Sequence, residues 1–188
     1  MSNARAHLGL GQTTSKKGVT ASMEEEGAEA SEKSKGFAGA ASKDADAVQS
    51  DIIASFSSRG DALDQFNYLL ELAAQLPELA ESEKTDAALV GGCQSQVWLY
   101  PQWENGRFSL RGDSDTLMVR GVIRIIELMF AGKTPAEVED CPLRFVDETE
   151  LASIFDAKRK TGVASITDMI RASAKDELAR EKKAGIRP

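Results

Sequence analysis

Residues 114–132 read SDTLMVRGVIRIIELMFAG, and no other segment restricts the possible folds as much. Met118, Val122, Ile126 and Met129 fall on one side of a helix, with Val119, Ile123 and Phe130 beside them. An apolar face this wide has to be covered on more than one flank, which predicts the central buried helix of a layered domain. Gly132 supplies a C-terminal cap. TPAE at 134–137 then opens another helix as a capping box with proline at the first helical position.

The segments on either side complete the domain. DALDQFNYLLELAAQLPEL sets Leu63, Phe66, Leu70 and Ala73 at helical spacing, and Pro77 closes that helix. QVWLYPQW is rich in strand formers, and the Asn-Gly of ENGR turns it into RFSLRG, an antiparallel hairpin. A short helix is expected around Glu148 to Phe155. A last one is expected from about Thr161 to Lys183, with Ile166, Met169, Ile170 and Leu178 inward. Several helices packed against one small antiparallel sheet make the class α+β.

At 188 residues one domain is expected. Residues 1–50 contain ten Ala, seven Ser and six Gly but a single aromatic, Phe37. Such a stretch buries too little apolar surface to offset its ordering entropy, so residues 1–48 are read as a disordered tail and 49–188 as the domain. A net charge of −7 argues against a nucleic-acid partner. No apolar run approaches a membrane span, and the start has no secretory apolar core. Two cysteines, Cys93 and Cys141, do not make a disulfide framework, so a reducing compartment, the cytoplasm, is expected. Arg5, Lys16 and Lys17 among Ser and Thr, with no acid before Glu24, leave a transit peptide for plastid or mitochondrion as the alternative.

The lone histidine, His7, lies in the tail. Cys–His and Ser–His dyads and histidine-based metal sites are thereby removed from the folded part, and no metal or cofactor is expected on this chain. AGKT at 131–134 resembles the end of a phosphate loop, but Glu127 stands where that motif needs glycine. The RGD at 111–113 reads as a chance tripeptide, with Asp113 and Ser114 serving as helix caps. Cys141, before a proline at a helix end, is read as a small buried hydrophobe.

Cys93 is different. Gly91 and Gly92 precede it, polar Gln94, Ser95 and Gln96 follow, and the strand comes next. A core cysteine needs no glycines before it; a presented thiol does, because they let another backbone approach. Free N–H groups in such a loop are expected to lower the thiol pKa. Leu99 excludes a C-x5-R phosphatase loop and Gln96 a CxxC pair.

GGCQSQVWL, GDSDTLMVRGVI about twenty positions on, and TPAEV together resemble the SufE family of sulfur-acceptor proteins, over roughly residues 50–180. The resemblance implies an α+β, SufE/NifU-like fold. It implies that Cys93 takes the sulfane sulfur, as a transient persulfide, from a SufS-like, pyridoxal-phosphate-dependent cysteine desulfurase and passes it to an iron–sulfur cluster scaffold. Gly91 and Gly92 would be the hinge of a loop that tucks in and emerges on docking, covered by Val97, Trp98 and the helix from Asp115. Gly92, Gln94, Asp115 and Arg159 would form the partner-facing set, with Asp115 tuning the docked and undocked states. The alternative is a regulatory adaptor that docks on the desulfurase without carrying sulfur. A stand-alone thiol peroxidase or reductase lacks a resolving partner at useful spacing.

Overall fold

The computed structural model describes residues 43–185. Its helices are α1 (Ala45–Ser57), α2 (Ala62–Gln75), α3 (Leu117–Phe130), α4 (Pro135–Asp140), α5 (Leu151–Ile154) and α6 (Ala157–Lys183), and its strands are β1 (Val97–Glu104) and β2 (Arg107–Ser114). Two short 3-10 turns, Glu81–Glu83 and Asp86–Ala88, lie between α2 and β1. The class is α+β: a two-stranded antiparallel sheet among helices, as the sequence predicts.

The hairpin forms where Asn-Gly places it. Asn105 and Gly106 both take positive φ, 52° and 68°, so Glu104 pairs with Arg107 and the register runs back to Val97 opposite Ser114. Phe108, Leu110 and Gly112 of β2 face inward. On β1, Val97 and Leu99 join the main core, whereas Trp98 turns to a second cluster with Leu79 and Ala88.

The segment at 114–132 is the central helix. Val122, Ile123, Ile125, Ile126, Met129 and Phe130 of α3 are all buried. At Gly121 a Cβ would lie 2.5 Å from Leu69 O, so only glycine lets α3 approach α2 this closely. Gly132 follows the helix at φ 72°, and the Thr134–Glu137 capping box starts α4.

Several expectations are corrected. In α2 the buried residues are Gln65, Leu69, Leu72 and Ala73; of the expected set only Ala73 is fully buried, Phe66 and Leu70 are half-buried, and Leu63 is 66% exposed. Gln65 belongs inside because its side chain accepts from Glu150 N at 2.9 Å. Asp113 and Ser114 close β2 rather than cap a helix; the residue before α3 is Thr116. Asp113 is instead a buried tie, ion-paired with Arg120 and accepting from Leu79 N at 3.2 Å, while Arg120 also donates to Leu76 O at 2.6 Å. The last helix starts at Ala157, one turn earlier than predicted, because Asp156 caps it by accepting from Arg159 N. α1 starts at Ala45, capped by Asp44, and Ala45 and Val48 are buried in the core. The last residues assigned to the 1–48 tail therefore belong to the domain; residues 1–42 lie outside the described part.

Candidate functional site

Residues 91–96 form a loop closed at its base, where Val90 N donates to Val97 O at 2.8 Å. Gly92 sits at φ 81°, a conformation side-chain-bearing residues rarely adopt, and it turns the chain so that the next residue points back toward the body. Cys93 follows, half-buried and packed against the main core.

Each half of the loop is held by a different element. On the strand side, Asp115 N donates to Gln96 O at 3.2 Å and Gln96 N donates to an Asp115 carboxylate oxygen at 3.1 Å. Ser95 Oγ and Thr116 Oγ1 meet at 2.8 Å, and Ser114 Oγ donates to Gln96 O at 2.7 Å. On the other side the thiol reaches α6, where Cys93 Sγ donates to Gly162 O at 3.5 Å. That carbonyl is 69 positions away in sequence.

The thiol borders a cleft of about 240 Å³ between the loop, the start of α3 and the first turns of α6. Val119, Val122, Phe155, Val163 and Ile166 make it apolar. Gln94, Lys158 and Arg159 line it as well, the last two exposed on the first turn of α6. Arg159 is ion-paired with Asp156 at 3.1 Å.

The expected pKa direction is overturned. Burial among apolar side chains pushes the Cys93 thiol above its ordinary value. A carbonyl oxygen is its hydrogen-bond partner, and an acceptor favours the neutral form. In this conformation Cys93 is a held thiol and a poor nucleophile. Burial pushes Cys141 higher, to about 11, and it sits 6% exposed at the end of α4, a packing residue as the sequence suggests.

Of the candidate residues, Cys93, Gln94 and Arg159 meet around one cleft, Gly92 shapes the turn, and Asp115 anchors the loop from outside the cleft lining. The expected cover is met only in part, by the helix that follows Asp115. Trp98 lies in the second cluster, and the thiol is covered by α6 and Phe155 together with the start of α3. Sequence reasoning missed Lys158, Gly162 and Ser165. The only available signal was a glycine and a serine at i, i+3 on a helix near Arg159, a spacing that means nothing until the loop is seen against it.

Among the described residues, no helix is long and apolar enough to cross a membrane.

Comparisons with known proteins agree with this architecture. Residues 50–174 match the model of the SufE Fe-S metabolism associated domain. The sulfur acceptor protein CsdE of Escherichia coli is 35% identical over 114 residues, covering 60% of this chain and 78% of that protein. An uncharacterised SufE-like protein of Rhizobium etli is 35% identical over 133 residues, 68% of this chain and 90% of that one. The solution structure of a hypothetical protein from Thermus thermophilus superposes with a TM-score of 0.60 at 20% identity, over 70% of this chain and 96% of that one, and shares the fold. With the family model spanning the hairpin, the Cys93 loop and the central helix, the chain belongs to the SufE family.

Proposed function

We propose that this protein accepts sulfur from a cysteine desulfurase, with Cys93 as the nucleophile and temporary persulfide. One arrangement supports the reading above all: a half-buried thiol in a glycine turn, on a loop pinned at its base, beside a cleft lined by apolar side chains. Membership of the family and the sulfur-acceptor relative point the same way.

The chemistry suits a folded region without histidine. Once released from α6 and ionised, Cys93 attacks the outer sulfur of a persulfide on the desulfurase cysteine. The bond between that outer sulfur and the desulfurase sulfur breaks, the electron pair leaves on the desulfurase as a thiolate, and Cys93 becomes the persulfide. Its proton passes to solvent, and nothing is oxidised or reduced overall. The electrophile is already activated, so no general base is required. Pyridoxal phosphate belongs to the partner, which generates the sulfur. Passing it on repeats the same exchange, and an iron–sulfur assembly scaffold is the receiver we propose.

The held thiol suits a carrier. An exposed persulfide is lost to stray thiols and oxidants, whereas one returned to the cleft is shielded between partners. A reducing compartment, with the cytoplasm as the proposed one, keeps Cys93 free between turnovers.

The deciding experiment is intact-mass analysis after incubation with a SufS-like cysteine desulfurase and cysteine. One added sulfur, mapped to Cys93 and removed by dithiothreitol, is expected. If the desulfurase is accelerated while no sulfur appears on Cys93, the regulatory-adaptor reading replaces this one.

A further inference from the structure

The Cys93 loop is held in two unlike ways. Toward β2 and α3 the anchors are hydrogen bonds, through Asp115, Thr116 and Ser114. Toward α6 the contact is largely one of shape. At Gly162 a Cβ would lie 3.6 Å from Cys93 Sγ and 4.0 Å from its Cα, so the sulfur rests where a larger side chain would be. One turn on, Ser165 Oγ stands 2.8 Å from where a Cβ on Gly92 would lie, so only a glycine at 92 lets the loop sit over this side chain. Positions 162 and 165 lie at i, i+3 and share one face of α6, and together they form a ledge under Gly92 and Cys93.

We propose that the side-chain size at positions 162 and 165 sets how firmly the Cys93 loop is retracted, which makes Gly162 and Ser165 positioning residues for the sulfur-transfer step. The inference rests on the acceptor reading above for its meaning, but the geometry it invokes belongs to the free protein. A methyl group at 162 would sit in ordinary van der Waals contact with the sulfur and leave the seat usable. A branched side chain there has no room in the direction of Sγ, and a branched side chain at 165 adds bulk beside Gly92, where the space over Ser165 Oγ already excludes a Cβ. In either case the loop has to lift. The thiol then leaves both the apolar cleft and the Gly162 carbonyl, the two features that disfavour its ionisation.

The test is the alkylation of Cys93 by iodoacetamide in the full chain without desulfurase, followed by peptide mass across a pH series. Gly162→Val and Ser165→Val are each expected to raise the rate at neutral pH roughly tenfold and to move the midpoint of the pH–rate profile to lower pH. Gly162→Ala should stay within about twofold of the parent rate, because its contact is an ordinary one. Alanine and valine are both better helix formers than glycine, so weakening of α6 cannot be the cause of a change in the Gly162 variants. The same profile for Gly162→Val as for the parent, or equal acceleration by alanine and valine, overturns the proposal. Should Gly162→Val fail to fold, Ser165→Val carries the test alone, and an unchanged profile there overturns it equally. Sulfur loading by the desulfurase is measured separately on the parent chain. Failure to load with the alkylation pattern intact removes the acceptor reading and leaves the ledge. Normal loading with an unchanged alkylation profile does the reverse.

Discussion

Asp115 and Gln96 are joined twice, the backbone N–H of Asp115 donating to Gln96 O at 3.2 Å and Gln96 N–H donating back to the Asp115 carboxylate at 3.1 Å. This two-way pairing fixes the C-terminal foot of the Cys93 loop to the end of β2. Asp115→Ala removes half of it, so Cys93 should alkylate faster while the melting temperature falls only slightly. The expected loss is about 1 kcal/mol or less, as for an exposed hydrogen bond. Asp115→Asn keeps an acceptor oxygen and should restore most of the parent rate. Unchanged reactivity in the alanine variant would show that the clamp does not hold the loop.

Cys93→Ser should abolish acceleration of the desulfurase while leaving binding in place. A hydroxyl is un-ionised near neutral pH and forms no stable bond to the sulfane sulfur. Arg159 is exposed at the cleft rim and paired only with Asp156 at 3.1 Å among the contacts described, so Arg159→Ala should leave the melting temperature almost unaltered and weaken the complex. Alanine release at limiting desulfurase, with affinity by calorimetry, separates the two effects. Parent-like acceleration by Cys93→Ser would end the relay mechanism.

Cys141 provides a pH signature. Its thiol is pushed from 9.0 up to about 11 in the fold, so the neutral form is favoured there. The resulting stabilisation is fully present below about pH 9 and is lost as pH rises toward 11. The difference is on the order of 2 kcal/mol. Cys141→Ala should therefore lose less stability than the parent chain between those pH values, as followed by denaturant midpoints. It should also keep full sulfur acceptance, and loss of transfer with the fold intact would reveal a two-thiol relay.

Where the chain is cut at its N-terminus matters over a few residues. A protein starting at Lys43 retains the Asp44 cap and the buried Ala45 and Val48; one starting at Gln49 loses all three. The shorter chain should be less stable by on the order of 3 kcal/mol, from lost apolar burial and a lost cap. Equal melting temperatures for the two would mean that the first turn of α1 adds nothing to the core.

The Asp113–Arg120 pair is nearly inaccessible to water, with side chains 3% and 9% exposed. Asp113→Ala leaves a buried guanidinium without its carboxylate and takes an acceptor from Leu79 N. A loss of about 3–5 kcal/mol is expected in chemical denaturation. A loss below about 1 kcal/mol would show that Leu76 O alone satisfies Arg120.

Much of this protein is legible in its sequence because much of it is decided by near neighbours. Asn105–Gly106 dictates a tight hairpin through backbone conformation alone, and Thr134–Glu137 caps its own helix. The breadth of the apolar face on α3 announces a central helix whatever packs against it. Gly92 marks the turn before Cys93 within a few residues. Other properties arise only when distant segments meet. Leu63 and Leu69 fit the helical period of α2 equally well, and the partner surface, including Glu150 N on Gln65, selects which of them is buried. Ala45 and Val48 look like the end of a polar tail until α3 and its neighbours supply a core for them. The ionisation of Cys93 is the sharpest case. The local pattern points to a lowered pKa, but burial against α3, Phe155 and a helix 69 positions away raises it. A handful of adjacent residues is enough to offer a thiol. Holding it back takes the packed domain, because solvation and steric fit depend on everything within a few ångströms, however far off in the chain.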